Sequence, residues 1–287
     1  MTDAVVPCEK NDAFEHQVRQ FAEALRSGAH TLGNHGLTKE EFEQAGLFRA
    51  AVERIRGQNS ATMDAKRPFV AAILDDLKSR NFILDWQSSG GGNRFDYQVT
   101  LLSKRISVIE IKGCLDGNNT NIFDRPAHAD EFIIWSLCQN PGADPRRNVW
   151  SGVHTRLTAE IIDRGHVVDA IIVWDMLCGT HARICPKLQA DGSRATKIGP
   201  YTLPPPCIYL LPDSVPTARN NAKPRINEIA DVGFAKALYD GFKCRPDEIN
   251  SVSVEVAHRG ADIVRTTAIM RGGRVVKTSK PIPIRRK

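Results

Sequence analysis

Three ionisable residues interrupt a strand-like stretch at residues 94–113, RFDYQVTLLSKRISVIEIKG. Asp96 opens the first apolar run of this stretch, and Glu110 and Lys112 close the second. Side chains alternate between the two faces of a strand, so Glu110 and Lys112 lie on one face and Ile109 and Ile111 lie on the other. Because charge inside an apolar strand is costly without a partner, these residues are the first candidates for a chemical role.

Residues 95–102 and 106–112 are predicted to be strands of a hairpin that turns at Ser103, Lys104 and Arg105. Antiparallel pairing would bring Asp96 close to Glu110 and Lys112. Two carboxylates can hold a hard divalent ion such as Mg²⁺, which polarises a phosphodiester and lowers the pKa of a bound water. A neighbouring lysine can stabilise charge or orient that water. The structural alternative is a cross-strand salt bridge between Asp96 and the other two residues.

The elements around this hairpin predict an α/β core. A helical stripe before it contains Phe69, Val70, Ile73, Leu74 and Leu77, with Pro68 in the first turn. A short strand is predicted at 81–86, a helix at 128–138, a helix at 153–165 that ends on Gly165, and a buried strand at 167–175. The order is therefore helix, three strands, helix, strand.

The two flanks of this core show different patterns. The first 60 residues are predicted to be helical, and Thr38 with Glu41 forms a capping-box signature for a helix that runs to about Arg56. The C-terminal part predicts a strand at 204–212, a helix at 231–242 and a hairpin over 251–270 that turns at 259–262. We divide the chain into an N-terminal helical extension (1–60), a core (61–180) and a C-terminal β-containing elaboration (181–287).

Asp96 followed by Glu110-Ile111-Lys112 on this order of elements resembles the PD-(D/E)XK nuclease superfamily, which has the fold of restriction endonucleases and many DNA-repair nucleases. Phe95 stands where many members have proline. The resemblance implies a restriction-endonuclease-like core, a mixed sheet flanked by helices in the order α-β-β-β-α-β. It also implies that Asp96, Glu110 and the backbone carbonyl of Ile111 bind Mg²⁺ and that Lys112 serves the attacking water. Cleavage would then leave a 5′-phosphate.

On this resemblance the leading hypothesis is a magnesium-dependent DNA endonuclease similar to a type II restriction enzyme, acting on double-stranded DNA as a homodimer. A repair-type nuclease and a non-catalytic DNA-binding protein on the same fold are the alternatives. Some superfamily members add a metal ligand from a preceding helix. Glu53, Asp75 and Asp76 are all candidates for that ligand, and the sequence does not choose among them.

Weaker signals concern DNA contacts and zinc. The loop DGNNTN and two arginine-containing loops suggest contacts to bases or phosphates through Asn118, Asn119, Asn121, Arg125, Arg146 and Arg147, although Asn-rich loops are commonly plain turns. The segment CGTHARIC and a later cysteine suggest a structural zinc site made by Cys178, His181, Cys185 and Cys207. The alternative is that these cysteines pack as small apolar side chains.

Composition limits the broad class. The chain has 287 residues, a net charge of +6 and a pI of about 9.0, which mildly favours a polyanionic partner. No apolar run is long enough to span a membrane, and seven scattered cysteines fit a reducing compartment better than a disulfide framework. We therefore expect a cytoplasmic protein without a membrane partner.

Overall fold

A computed structural model describes residues 20, 23–24, 27–31, 33–47, 63–90, 94–112, 122–138, 158–176, 188 and 192–284. The protein is α/β, with one large mixed sheet and few helices among these residues. The α-helices whose bounds are described are α1 (Lys39–Gln44), α2 (Met63–Ser79), α3 (Thr158–Arg164) and α4 (Gly233–Gly241). Short 3₁₀ turns lie at Ala29–Thr31, Gly192–Arg194 and Pro246–Glu248. No described helix has the length and apolarity that crossing a bilayer requires.

The strands are β1 (Ile83–Ser88), β2 (Tyr97–Leu101), β3 (Ile106–Lys112), β4 (Glu131–Cys138), β5 (Ala170–Asp175), β6 (Thr196–Ile198), β7 (Tyr201–Leu203), β8 (Cys207–Leu210), β9 (Ile249–Arg259), β10 (Asp262–Arg271), β11 (Arg274–Thr278) and β12 (Ile282–Pro283). Ten of them form one sheet in the order β1-β2-β3-β4-β5-β8-β9-β10-β11, with β12 beside β10. The pair β6–β7 forms a separate hairpin.

The sheet contains an antiparallel meander, β1–β2–β3, that continues into the parallel pairs β3–β4 and β4–β5. Beyond β5, the C-terminal strands extend the same sheet through β8, which runs antiparallel to β5 and parallel to β9. The C-terminal elaboration is therefore continuous with the core sheet.

Strand β4 corrects the helix predicted over 128–138. Every residue from Glu131 to Leu137 is buried, because β4 lies in the middle of the sheet and packs on both faces. A continuous apolar run is the sequence pattern of a central parallel strand and also of a buried helix, so the pattern does not distinguish the two. The observed order is thus helix, four strands, helix, strand, so β4 is an extra strand relative to the predicted order α-β-β-β-α-β.

Helix α2 packs on one face of the sheet through the predicted stripe, whose five residues are fully buried beside Ile109 and Ile111. It begins at Met63, so Pro68 lies inside the helix and not in its first turn as predicted. The helix ends in a Schellman motif: Asn81 adopts a φ of 58°, and the N–H of Phe82 donates to the carbonyl of Leu77 at 2.8 Å.

The opposite face carries a second apolar cluster with Ile161 and Ile162 of α3. Helix α3 ends as predicted before Gly165, whose φ is 71°. The predicted helix at 231–242 is confirmed as α4, and the predicted C-terminal hairpin is confirmed as β9–β10. The capping box of Thr38 and Glu41 is also confirmed; α1 ends at Gln44, and residues 48–56 of the predicted helix lie outside the described residues.

Candidate functional site

The β2–β3 hairpin sets the register of the candidate residues. Its turn is Leu102-Ser103-Lys104, one position earlier than predicted, because the N–H of Leu101 donates to the carbonyl of Arg105 at 2.9 Å. Lys104 takes the left-handed conformation, with a φ of 65°, at the last turn position, as three-residue hairpin loops require. Tyr97 then pairs with Ile109, so Asp96 reaches β3 beside Glu110.

Asp96 is fixed against β3 by its own backbone and side chain. Its N–H donates to the carbonyl of Ile109 at 2.9 Å, and its Oδ2 accepts the N–H of Ile111 at 2.7 Å. These two contacts flank Glu110 on both sides. The half-buried Asp96 carboxylate is therefore held beside the residue with which it was predicted to act.

Glu110 is only 4% exposed, and its two carboxylate oxygens differ. Oε1 contacts the ammonium group of Lys112, whereas the buried Oε2 has no hydrogen-bond partner among the described residues. Burial raises the pKa of Glu110 above its ordinary value, and the negative charge of Asp96 adds to that rise; Lys112 and the backbone amide of Phe123 oppose it.

Lys112 lies on the same face of β3 as Glu110, as the alternation of side chains predicted. Its ammonium group is 5.8 Å from the centroid of the Phe123 ring, and 18% of its side chain is exposed. The structure thus brings together Asp96, Glu110 and Lys112, the three residues that the sequence singled out.

This site suits a hard cation in its donor chemistry. Asp96 and Glu110 supply carboxylate oxygens, and one of those oxygens is buried and unused. The Ile111 carbonyl points to the same neighbouring strand as its N–H, which donates to Asp96, because both groups of a strand residue project to one side. No group of three or more His, Cys, Asp or Glu side chains is found in the described part of the chain. The protein ligands would therefore be few, which is the usual situation for Mg²⁺, an ion that keeps several of its waters.

The candidate helix acids do not join this site. Asp75 Oδ1 accepts the indole N–H of Trp86 at 2.9 Å, and Asp76 forms an ion pair with Arg80 at 3.4 Å. Both acids lie on α2, which packs on the face of β3 opposite Glu110. Glu53, the third candidate, lies outside the described residues.

The predicted DNA and zinc ligands fall mostly outside the described residues. This holds for Asn118, Asn119, Asn121, Arg146, Arg147, Cys178, His181 and Cys185. Arg125 is described, and its Nη1 donates to the carbonyl of Asp130 at 3.0 Å and lies 3.4 Å from Asp169 Oδ2. Cys207 is 8% exposed and packs in the apolar cluster on the α3 face.

A cleft of about 690 Å³ adjoins the site and was not predicted from the sequence. Asp96 forms part of its wall. The remaining lining comes from the start of α2, from β1 and from the β1–β2 connection: Arg67, Pro68, Ala71, Trp86, Ser88, Ser89, Gly90, Phe95 and Tyr97. The signal available in the sequence was a tryptophan, Trp86, at the end of a short predicted strand and just before the glycine-rich segment 88–93.

A second buried glutamate, Glu131 at the start of β4, was also missed. Its Oε1 accepts the N–H of Gly233 at 2.7 Å, and its Oε2 accepts the N–H of Phe234 at 3.1 Å. Arg105 Nη1 lies 3.7 Å from Oε1. Glu131 therefore caps the N-terminus of α4, for which Val232 at the N-cap position provides no side-chain hydrogen bond.

No family model matches this chain, and neither a curated protein nor a solved structure matches it. Its function therefore has to be inferred from the site itself.

Proposed function

We propose that the protein is a magnesium-dependent nuclease that hydrolyses phosphodiester bonds of DNA at Asp96, Glu110 and Lys112. The observation that carries the proposal is the state of Glu110: a buried carboxylate with one oxygen unused, held between the two backbone contacts of Asp96. A buried acceptor without a donor is costly, and a cation would remove that cost.

The division of roles follows from the contacts. Asp96 and Glu110 would hold the ion, together with the carbonyl of Ile111. The bound Mg²⁺ would supply Lewis-acid polarisation of the phosphate and a more acidic water. Lys112 contacts Glu110, and its ammonium group would hydrogen-bond the attacking water or a phosphate oxygen.

The restriction-endonuclease-like relationship is part of this proposal. The meander β1–β2–β3 and the placement of the acids at a strand start and a strand end support it. The extra strand β4 is a departure from the expected order of elements. Double-stranded DNA as substrate, sequence-specific cleavage of the restriction type and a homodimer complete the proposal, and the net charge of +6 agrees with a polyanionic partner.

One observation favours a non-catalytic DNA-binding protein as the second candidate. Glu110 and Lys112 already form a partly buried ion pair, so this end of β3 has a structural use that needs no metal. The two candidates differ in the effect of removing Lys112. The change would abolish DNA cleavage if the protein is a nuclease, whereas a non-catalytic binding protein has no cleavage activity to lose.

The test is cleavage of supercoiled plasmid by the purified protein with Mg²⁺ or EDTA, for wild type, Lys112→Ala and Lys104→Gln. Lys104 is an exposed lysine of the same hairpin and serves as the matched control. We expect cleavage that requires Mg²⁺, is lost in Lys112→Ala and persists in Lys104→Gln. Discrete products would indicate sequence specificity, and a smear would indicate a repair-type nuclease. Binding without cleavage by the wild type would establish the non-catalytic candidate instead.

A further inference from the structure

We propose that the cleft beside Asp96 binds one unpaired nucleotide of the substrate strand, with its base against Trp86 and its phosphate at Arg67. This inference rests on the proposed function, because it names the form of nucleic acid that the same site takes. It implies that the strand near the cut is single-stranded or has a base turned out of the stack.

The wall of the cleft contains an aromatic side chain that is already held in place. The ring centroids of Trp86 and Tyr97 are 5.7 Å apart at an angle of 59°, and the indole N–H of Trp86 donates to Asp75 Oδ1 at 2.9 Å. Trp86 remains half-exposed while Tyr97 is buried beneath it. A fixed aromatic surface at a cleft is suited to stacking with a nucleobase, since little conformational entropy is lost on binding.

Arg67 supplies the charge that a nucleotide needs. It is exposed, it lies in the cleft lining, and its guanidinium forms no ion pair with any described residue. The Tyr97 hydroxyl donates to the backbone carbonyl of Arg67 at 3.4 Å, which ties this part of α2 to the aromatic wall. An unpaired arginine beside an aromatic surface is a typical arrangement for gripping a single strand by its phosphate and its base.

The position and size of the cleft select an unpaired nucleotide. Asp96 belongs both to the cleft wall and to the proposed metal site, so it links the cleft, on the α2 side of the sheet, to Glu110 and Lys112 on the other side. The volume of about 690 Å³ lies in the range of sites for small ligands. A base inside a duplex has both faces stacked, so it has to leave the stack before it can contact Trp86.

The test measures binding of a fluorescein-labelled oligothymidylate of about 12 nucleotides, and of the duplex of the same length, by anisotropy in EDTA. We expect the wild type to bind the single strand. Trp86→Leu should weaken single-strand binding by roughly tenfold, and Arg67→Ala should lower the slope of log K against log salt by about 0.7. The control is Lys78→Ala, an exposed lysine at the other end of α2, which should leave binding unchanged.

Trp86→Phe separates stacking from a folding defect. It keeps an aromatic ring, so it should bind nearly as the wild type does, while the quenching of tryptophan emission on binding should be lost. An oligouridylate of equal length distinguishes RNA from DNA as the source of the nucleotide. Equal single-strand binding by wild type, Arg67→Ala and Trp86→Leu, or no single-strand binding by the wild type, would overturn the inference.

The outcome is separable from the proposed function. If Lys112-dependent cleavage occurs but Arg67 and Trp86 have no effect on binding, the nuclease stands and the nucleotide subsite fails. If single-strand binding depends on both residues but no cleavage is seen, the subsite stands and the nuclease fails.

Discussion

Two buried glutamates on neighbouring strands, Glu110 of β3 and Glu131 of β4, show how the same residue type serves two purposes. Both are almost fully buried, at 4% and 1% exposure. Burial is the main cause that raises the pKa of each. They project to opposite faces of the sheet: Glu131 faces α4, and Glu110 lies on the α3 side with Val108.

What differs is how their oxygens are used. Both oxygens of Glu131 accept backbone N–H groups of α4, whereas Glu110 has a lysine at one oxygen and no described partner at the other. Burial and a raised pKa are therefore shared by a helix cap and by the candidate site. The unused acceptor is the feature that separates the two glutamates, and it is the reason for placing the proposed ligand at Glu110.

The largest effect expected on stability is that of Glu131→Ala. This change leaves two N–H groups of α4 without their acceptor and opens a cavity, so we expect a loss of about 3 kcal/mol in the free energy of unfolding. Urea denaturation followed by circular dichroism measures it. If Glu131→Ala were as stable as the wild type, Glu131 would not be the structural member of the pair.

Two controls belong with this measurement. Glu131→Gln keeps one acceptor oxygen and should lose less than Glu131→Ala. Glu255→Ala removes an exposed glutamate of β9 whose ion pair with Lys223 is solvated, and it should change the free energy by no more than about 0.5 kcal/mol.

The next effect is stabilisation by Mg²⁺. A ligand that binds only the folded state adds roughly 2.7 kcal/mol at one hundred times its Kd, so saturating MgCl₂ should raise the thermal midpoint of the wild type. The shift should disappear in Glu110→Gln and persist in Glu131→Gln. Differential scanning fluorimetry against a KCl control of equal ionic strength makes the comparison. An equal shift in both variants would show that Mg²⁺ acts elsewhere.

A smaller effect is expected from Glu110→Gln without metal. A raised folded-state pKa means that the folded protein binds the Glu110 proton more tightly, so the buried charge lowers stability as pH rises above the ordinary glutamate value of about 4.3. Removing the charge should stabilise the protein by about 1 kcal/mol at about pH 8, because the flexible Lys112 can turn to water. The gain should vanish as pH falls to about 4. Destabilisation at about pH 8 would mean that the ion pair outweighs the burial cost.

The candidate site was largely predictable because its signals are local. Alternation in ISVIEIK placed Glu110 and Lys112 on one face, and the short turn brought Asp96 to them. The predicted position of the turn was wrong by one residue. Lysine rarely adopts the left-handed conformation that Lys104 has, so the sequence does not indicate it. Helix α2 and the hairpin β9–β10 were predicted for the same reason: each depends on contacts within a short segment.

Features that depend on distant parts of the chain were missed. The run EFIIWSLC is a strand because β3 and β5 pair with it on either side, and its residue pattern alone does not distinguish a strand from a helix. Glu131 has its role because the N-terminus of α4, far along the chain, lies against it. The cleft likewise combines α2 with the end of β1 and the start of β2. Tertiary neighbours, not local preference, decide all of these features.

The smallest effect concerns the hairpin that carries Glu110. The left-handed backbone of Lys104 lowers the free energy of unfolding by about 1–2 kcal/mol, a cost that glycine does not have. Glycine also makes the unfolded chain more flexible, which lowers the free energy of unfolding by about 0.4–1 kcal/mol. Lys104→Gly should therefore stabilise by about 0.5 kcal/mol, with the Mg²⁺ shift unchanged. Lys104→Ala, which loses the charge but keeps the Cβ atom, is the matched control. An equal gain in both variants would assign the effect to charge. A lost Mg²⁺ shift in Lys104→Gly would instead mean that the strained turn helps to hold Asp96 against Glu110.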